Sequence, residues 1–236
     1  MAEVTIGSIT LDLQRKDIKN LHISVLPPEG KVRVSAPEHL SDTAIRMAVV
    51  KRIAWIRQQQ ADFAAQPRQS ERELCTGETH YLWGRGYRLD VTTAEQVSVK
   101  LKAGRIVLAS RTAVEADKRQ ELLHSWYRQL LRKRIEPLLL HWQERLGVSV
   151  NFVGIKRMKT KWGSCNASTG RIWLNLELVK KPPECLEFII VHELVHMLER
   201  HHNERFKALM HKHLPKWPEY RRTLNRSPLA FDKWGY

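Results

Sequence analysis

The sequence predicts an α+β fold: a strand-rich N-terminal half followed by a C-terminal half built on helices around a short sheet. Three observations predict it. Period-2 apolar alternation recurs from residue 3 to about residue 109, as half-buried strands require. Leu122, Leu123, Trp126, Leu130, Leu131 and Leu138 recur at helical spacing. Residues 188–198 form an apolar run, interrupted by two histidines and a glutamate, that is long enough for a buried helix.

The elements follow in order. Residues 3–13 and 18–36 read as three strands, the last two joined by a turn at Pro27-Pro28-Glu29-Gly30. Ser41 is a good N-cap for a helix to about residue 65, with Ile45, Val49, Ile53 and Ile56 on its apolar face. Pro67 to Arg72 is a polar connection. Residues 80–92 and 97–109 are a further strand pair with a turn at Gly104. The helix over 113–146 contains Pro137, which is expected to kink or divide it. Residues 148–158 and 171–178 are strands flanking Lys161-Trp162-Gly163-Ser164-Cys165 and a turn at Asn166 to Gly170. Pro182-Pro183 starts a helix to about Glu199. Asn203 caps the next, which ends before Pro215, and the tail to Tyr236 is expected to be irregular. No internal repeat is visible. A boundary near residue 112 separates region 1–112 from region 113–236.

The bulk composition is that of a globular protein, 42% hydrophobic and 28% charged. No run of 18 apolar residues exists to span a bilayer. The N-terminus has no basic stretch leading into an apolar one, so a cytoplasmic location is expected. Cys75, Cys165 and Cys185 are too few and too scattered for a disulfide framework. The net charge of +15 attracts polyanions at long range, so nucleotides and nucleic acid enter as candidate partners.

The chemistry sits in Val191-His192-Glu193-Leu194-Val195-His196-Met197. On a helix, His192 and His196 share a face, one turn apart. Both imidazoles can then reach one ion about 2.0–2.1 Å away, with Glu193 beside it as general base on water. Zinc lowers the pKa of a bound water toward about 7, which suits hydrolysis at neutral pH. A third ligand must come from beyond the helix, because Glu199 lies about 10 Å along the axis from His192. His202, immediately before the cap, is the first choice; His201 is second, and Glu204 and Glu219 follow. His211 and His213 read as surface residues near a helix end, and Cys165 as packing. Trp162 and Trp173 are expected in the core rather than on substrate.

These motifs, together with Gly170-Arg-Ile-Trp-Leu-Asn175, Pro182-Pro183 and the run through Phe206 to Pro215, resemble the YgjP-like metal-dependent hydrolases, relatives of the zincin metallopeptidases. The resemblance implies a zincin-like catalytic core, with His202 as third ligand in a His-Glu-x-x-His-x5-His pattern. His201 and Asn203 depart from the Asn and Ser common in the family, and Lys207 from an aromatic residue. The Trp-Gly-Ser-Cys segment resembles the strand bordering a zincin cleft, whose edge can hold an extended peptide by main-chain hydrogen bonds.

Three functions are ordered on this basis. A Zn2+-dependent metallopeptidase acting on protein or peptide comes first. A nucleotide phosphoanhydride hydrolase using the same site is second; the basic charge favours it and the lack of a Gly-rich phosphate loop opposes it. A nucleic-acid-binding module with a structural zinc is third, with eight tryptophans available for stacking.

Overall fold

Gly7 takes a positive φ of 62°, and with Ser8 it forms a two-residue turn inside what reads as a single strand. The N-terminal segment is therefore a hairpin, β1 (Ala2–Ile6) and β2 (Ile9–Lys16), closed at Ile6 opposite Ile9. Four strands stand where three were expected. The computed structural model describes residues 2–26, 29–65, 73–111, 115–158 and 161–226. Pro27 and Pro28, the polar connection at 67–72 and the tail from residue 227 lie outside these.

Contacts divide the chain at residues 69 and 70. The expected boundary at 112/113 falls outside the described residues. The strands before it pack in one core with the helix that follows, so they belong to the second unit.

The first unit adds β3 (His22–Leu26) and β4 (Lys31–Pro37) to the hairpin in the order β1-β2-β4-β3. Leu11, Ile23, Val32 and Val34 point into a core closed by Ile45, Val49 and Ile56. Ser41 caps the covering helix as expected, its hydroxyl accepting from the Ala44 N–H at 3.2 Å. That helix is two, α1 (Asp42–Val50) and α2 (Ile53–Ala65), because the chain tightens at Arg52, whose N–H donates to Val49. No glycine or proline marks the break.

The second unit opens with β5 (Thr79–Leu82), β6 (Arg85–Thr93), β7 (Ser98–Lys102) and β8 (Arg105–Ser110) in the order β5-β6-β8-β7. This repeats the first sheet: two antiparallel hairpins joined by a parallel central pair. Leu11 opposite Val32 corresponds to Leu89 opposite Ile106. The expectation of no internal repeat is corrected at the level of topology. Each four-strand unit needs only alternating apolar residues and turns, so the topology repeats with little identity of residues.

Helix α3 (Ala116–Leu146) runs unbroken through Pro137 and ends at Gly147, which takes the left-handed conformation expected of such a cap. Leu123, Tyr127, Leu131, Ile135 and Trp142 bury its inner face. A small sheet follows, of β9 (Phe152–Lys156), β10 (Gly163–Asn166) and β11 (Arg171–Asn175), ordered β10-β11-β9 with β10 at the edge. A 3-10 turn, Leu176–Lys180, leads into α4 (Pro183–Val195), then α5 (Glu204–His213) and α6 (Trp217–Arg226). Helix α6 replaces the irregular tail expected there. Pro218 fits a first helical turn, and Trp217, Tyr220 and Leu224 pack on the core.

The 3-10 turn carries a buried polar group of its own. Glu177 is 8% exposed and accepts from Lys180 Nζ at 2.8 Å. Burial works to raise its carboxyl, but Lys180, Lys181 and His124 outweigh this and hold it below the usual range. His124 of α3 is pushed down to about 4, by burial first and then by the charges of Lys180 and Arg157, against Glu177. Protonation of His124 therefore favours the unfolded chain, whose imidazole titrates near its ordinary value. Stability is lost as pH falls from about 6.5 through about 4. Thermal unfolding across this window is expected to fall less steeply in His124→Gln than in the native chain. Parallel curves would contradict the assignment.

Candidate metal centre

Helix α4 is apolar on every side, which is why it lies inside the second unit rather than on its surface. It ends at Val195, earlier than the expected Glu199. The Met197 and Leu198 N–H groups donate to Leu194 and Val195, three residues back, so the chain tightens and turns away. Glu199 fixes this turn. Its carboxylate accepts the His201 N–H at 3.2 Å and lies 3.8 Å from Arg205. Its carbonyl accepts from His196 Nδ1 at 3.2 Å, which leaves the His196 Nε2 lone pair free. Asn203 then caps α5, its Oδ1 accepting the Phe206 N–H at 3.0 Å. His202, just before the cap, swings back toward α4.

The result brings together His192, His196 and His202, with one donor atom of each within 4.8 Å of the others. Nε2 of His192 and Nε2 of His202 are 3.0 Å apart. Two nitrogens on a tetrahedral zinc at the usual bond length stand about 3.3 Å apart, so this pair is spaced much as such an ion needs. Burial, then the neighbouring imidazoles and Arg221, push His192 down to about 3, so it is neutral and carries the lone pair a cation needs. Burial also lowers His196. His201, Glu204 and Glu219 are exposed and stand outside the cluster, as do His211 and His213.

Phe206 supports all three rings from beneath. Its centroid lies 5.0 Å from that of His192 and 4.8 Å from those of His196 and His202, and its side chain is 3% exposed. Nothing in the sequence around Phe206 marks it for this place.

Glu193 is 4% exposed and packs under strand β10, lining the same cleft as His192 and His196. Burial pushes its carboxyl up to about 8, with Lys161 pulling the other way. A cation among the histidines would add to the pull of Lys161. Gly163 makes room for it: a Cβ there would stand 2.5 Å from Glu193 Oε1 and 2.9 Å from Cγ and Cδ. Cys165 lies on the same side. Burial, and then the charge of Glu193, push its thiol up to about 11, which disfavours the thiolate that a nucleophile needs.

Asn175 holds β10 in place and was not singled out by sequence. Buried at 4% exposure, it donates through Nδ2 to the carbonyls of Met158 and Lys161 at 2.9 and 2.8 Å. Its N–H donates to Trp162 at 2.9 Å. These bonds fix the residues that deliver Gly163 onto Glu193. Trp162 packs partly on the core and partly lines the cleft. Trp173 departs from its expected core position: Ile172 and Leu174 point inward, so Trp173 between them points outward.

A cleft of about 1060 Å³ opens over Glu193 and the three histidines, with Gly163 to Ser168 along one wall. Lys161, Arg200 and Arg221 also line it, and Glu193 is its single carboxylate among the described residues.

Residues 19–227 match the YgjP-like metallopeptidase domain. No curated protein matches. Among solved structures, the chain is similar to the zymogen of jannalysin, a metallopeptidase of Methanocaldococcus jannaschii. They share 26% identity at a TM-score of 0.34, over 38% of this chain and 92% of that one. The zymogen of abylysin, a metallopeptidase of Pyrococcus abyssi, is 24% identical at a TM-score of 0.36, over 40% of this chain and 99% of that one. The family match spans β3 to α6 and with them every residue of the histidine cluster, and on it the chain belongs to the YgjP-like metallopeptidase family.

Proposed function

We propose that the protein is a zinc metallopeptidase, in which His192, His196 and His202 hold one Zn2+ and Glu193 is the general base. The observation that carries this reading is the 3.0 Å approach of the two Nε2 atoms, with His196 beside them and Phe206 beneath. When bound, zinc supplies Lewis acidity to the scissile carbonyl and to water. Glu193 takes the proton of the attacking water and delivers it to the leaving amine. Its burial under Gly163 keeps bulk water from that exchange. The main chain of β10, at the edge of its sheet, is available to pair with an extended substrate.

The test is hydrolysis of an unstructured protein such as denatured casein by the pure, zinc-loaded chain. Cleavage that disappears with a chelator and returns with Zn2+ supports the reading. No cleavage of any unstructured substrate contradicts it.

A nucleotide phosphoanhydride is the second reading, favoured by Lys161, Arg200 and Arg221 along the cleft. Phosphate or pyrophosphate release from nucleoside triphosphates tests it, and a silent panel removes it. No described helix is long and apolar enough to cross a membrane. All three cysteines are free, which suits the reducing cytoplasm, where we place the protein.

A further inference from the structure

The outer face of the small sheet carries a second cavity, of about 370 Å³, on the far side of β10 from α4. Strand alternation explains its lining. Gly163 and Cys165 face Glu193. Ser164 and Asn166 therefore face away, and their register partners on β11 are Trp173 and Arg171. All four line the outer cavity. Behind them, Lys156 lies 4.4 Å from the Trp173 ring centre, and the Arg171 guanidinium lies 4.8 Å from that of Phe152. The aromatic rings brace two cations at the surface, and neither cation meets a carboxylate among the described residues.

We propose that Arg171, with Lys156 and Trp173, forms a specificity subsite for an acidic side chain of an extended peptide substrate. The proposal rests on the reading of β10 as the substrate-pairing strand. A peptide added to that edge alternates as β10 does. One set of its side chains enters the cleft over the histidines, and the intervening set falls on the outer face. Cations stand on both sides: Lys161, Arg200 and Arg221 in the cleft, and Arg171 and Lys156 outside. A carboxylate can meet Arg171 in two parallel hydrogen bonds, which a lysine side chain of a substrate cannot do. The favoured substrate class is therefore an unstructured acidic peptide.

Binding tests this apart from turnover. Zinc-loaded Glu193→Gln protein is titrated into fluorescein-labelled octapeptides of one backbone sequence that carry Glu, Ala or Lys at alternate positions. Fluorescence anisotropy at physiological salt reads the affinity. The Glu peptide is expected to bind about fivefold to tenfold tighter than the Lys peptide. Adding Arg171→Glu is expected to abolish or reverse that order. Arg105→Glu, the same charge change on the other sheet, is expected to leave it standing. Equal binding of the Glu and Lys peptides overturns the proposal, and so does an Arg171→Glu effect no larger than that of Arg105→Glu. Peptides that bind in the expected order but are not cut by the native chain contradict the peptidase reading and leave the subsite intact. No binding by any peptide overturns the subsite.

Discussion

Glu193→Gln is expected to lower peptide hydrolysis by about a thousandfold while the protein keeps its fold and its metal. The amide has nearly the volume of the carboxylate, so Gly163 and β10 have no cause to move. It cannot accept the proton of an attacking water. Burial of Glu193 makes the contrast sharper. At 4% exposure, no bulk base stands in for it, and Cys165 nearby holds its proton too tightly to serve. Removal of a charge that burial opposes is also expected to stabilise the fold or leave it unchanged. The measurement is kcat/KM on an unstructured protein, with zinc content and Tm recorded on the same preparations. Unchanged kcat/KM removes Glu193 from the chemistry. A fall that tracks loss of zinc assigns it to the metal site instead.

Gly163→Ala is expected to cost about a hundredfold in kcat/KM through the same carboxylate. The added Cβ would stand 2.5 Å from Glu193 Oε1, closer than any real Cβ contact. Either the carboxylate turns aside or β10 lifts from α4, and Asn175 holds the residues leading into β10 by three hydrogen bonds. The carboxylate is the easier to move. The three atoms nearest the added Cβ all belong to Glu193 and none to a histidine, so zinc content is expected to stay at the native level. Because both substitutions act on one group, Gly163→Ala is expected to add little further loss to Glu193→Gln. Independent, multiplying losses would show that Gly163 acts through β10 and substrate pairing rather than through Glu193.

The order of elements in this molecule was legible wherever periodicity or a cap marked it. Ser41 and Asn203 cap the helices expected of them, and α4 announces its burial by being apolar all round. What escaped was set by single residues or by tertiary packing. Gly7 and Ser8 turn one strand into two, and one glycine amid alternating residues reads equally as strand. Helix α6 has few apolar residues of its own, and Trp217, Tyr220 and Leu224 matter only because a core lies beneath them. The duplicated four-strand topology leaves little trace in residue identity, because a strand needs only alternation.

At the centre, the pair one turn apart on α4 followed from spacing alone. The approach of His202 depends on the turn that Glu199 and Asn203 build, which spacing does not encode. Phe206 and Asn175 act through position, and nothing in their residue type distinguishes them from packing and turn residues elsewhere.

Elemental analysis of the purified chain beside its His202→Ala and His201→Ala variants tests the histidine centre most directly. One zinc per native chain, held equally by His201→Ala and largely lost from His202→Ala at the same free zinc concentration, is the expected result. A native chain that takes up no metal, or a His202→Ala protein that retains it in full, would contradict the three-histidine centre and the hydrolytic chemistry derived from it.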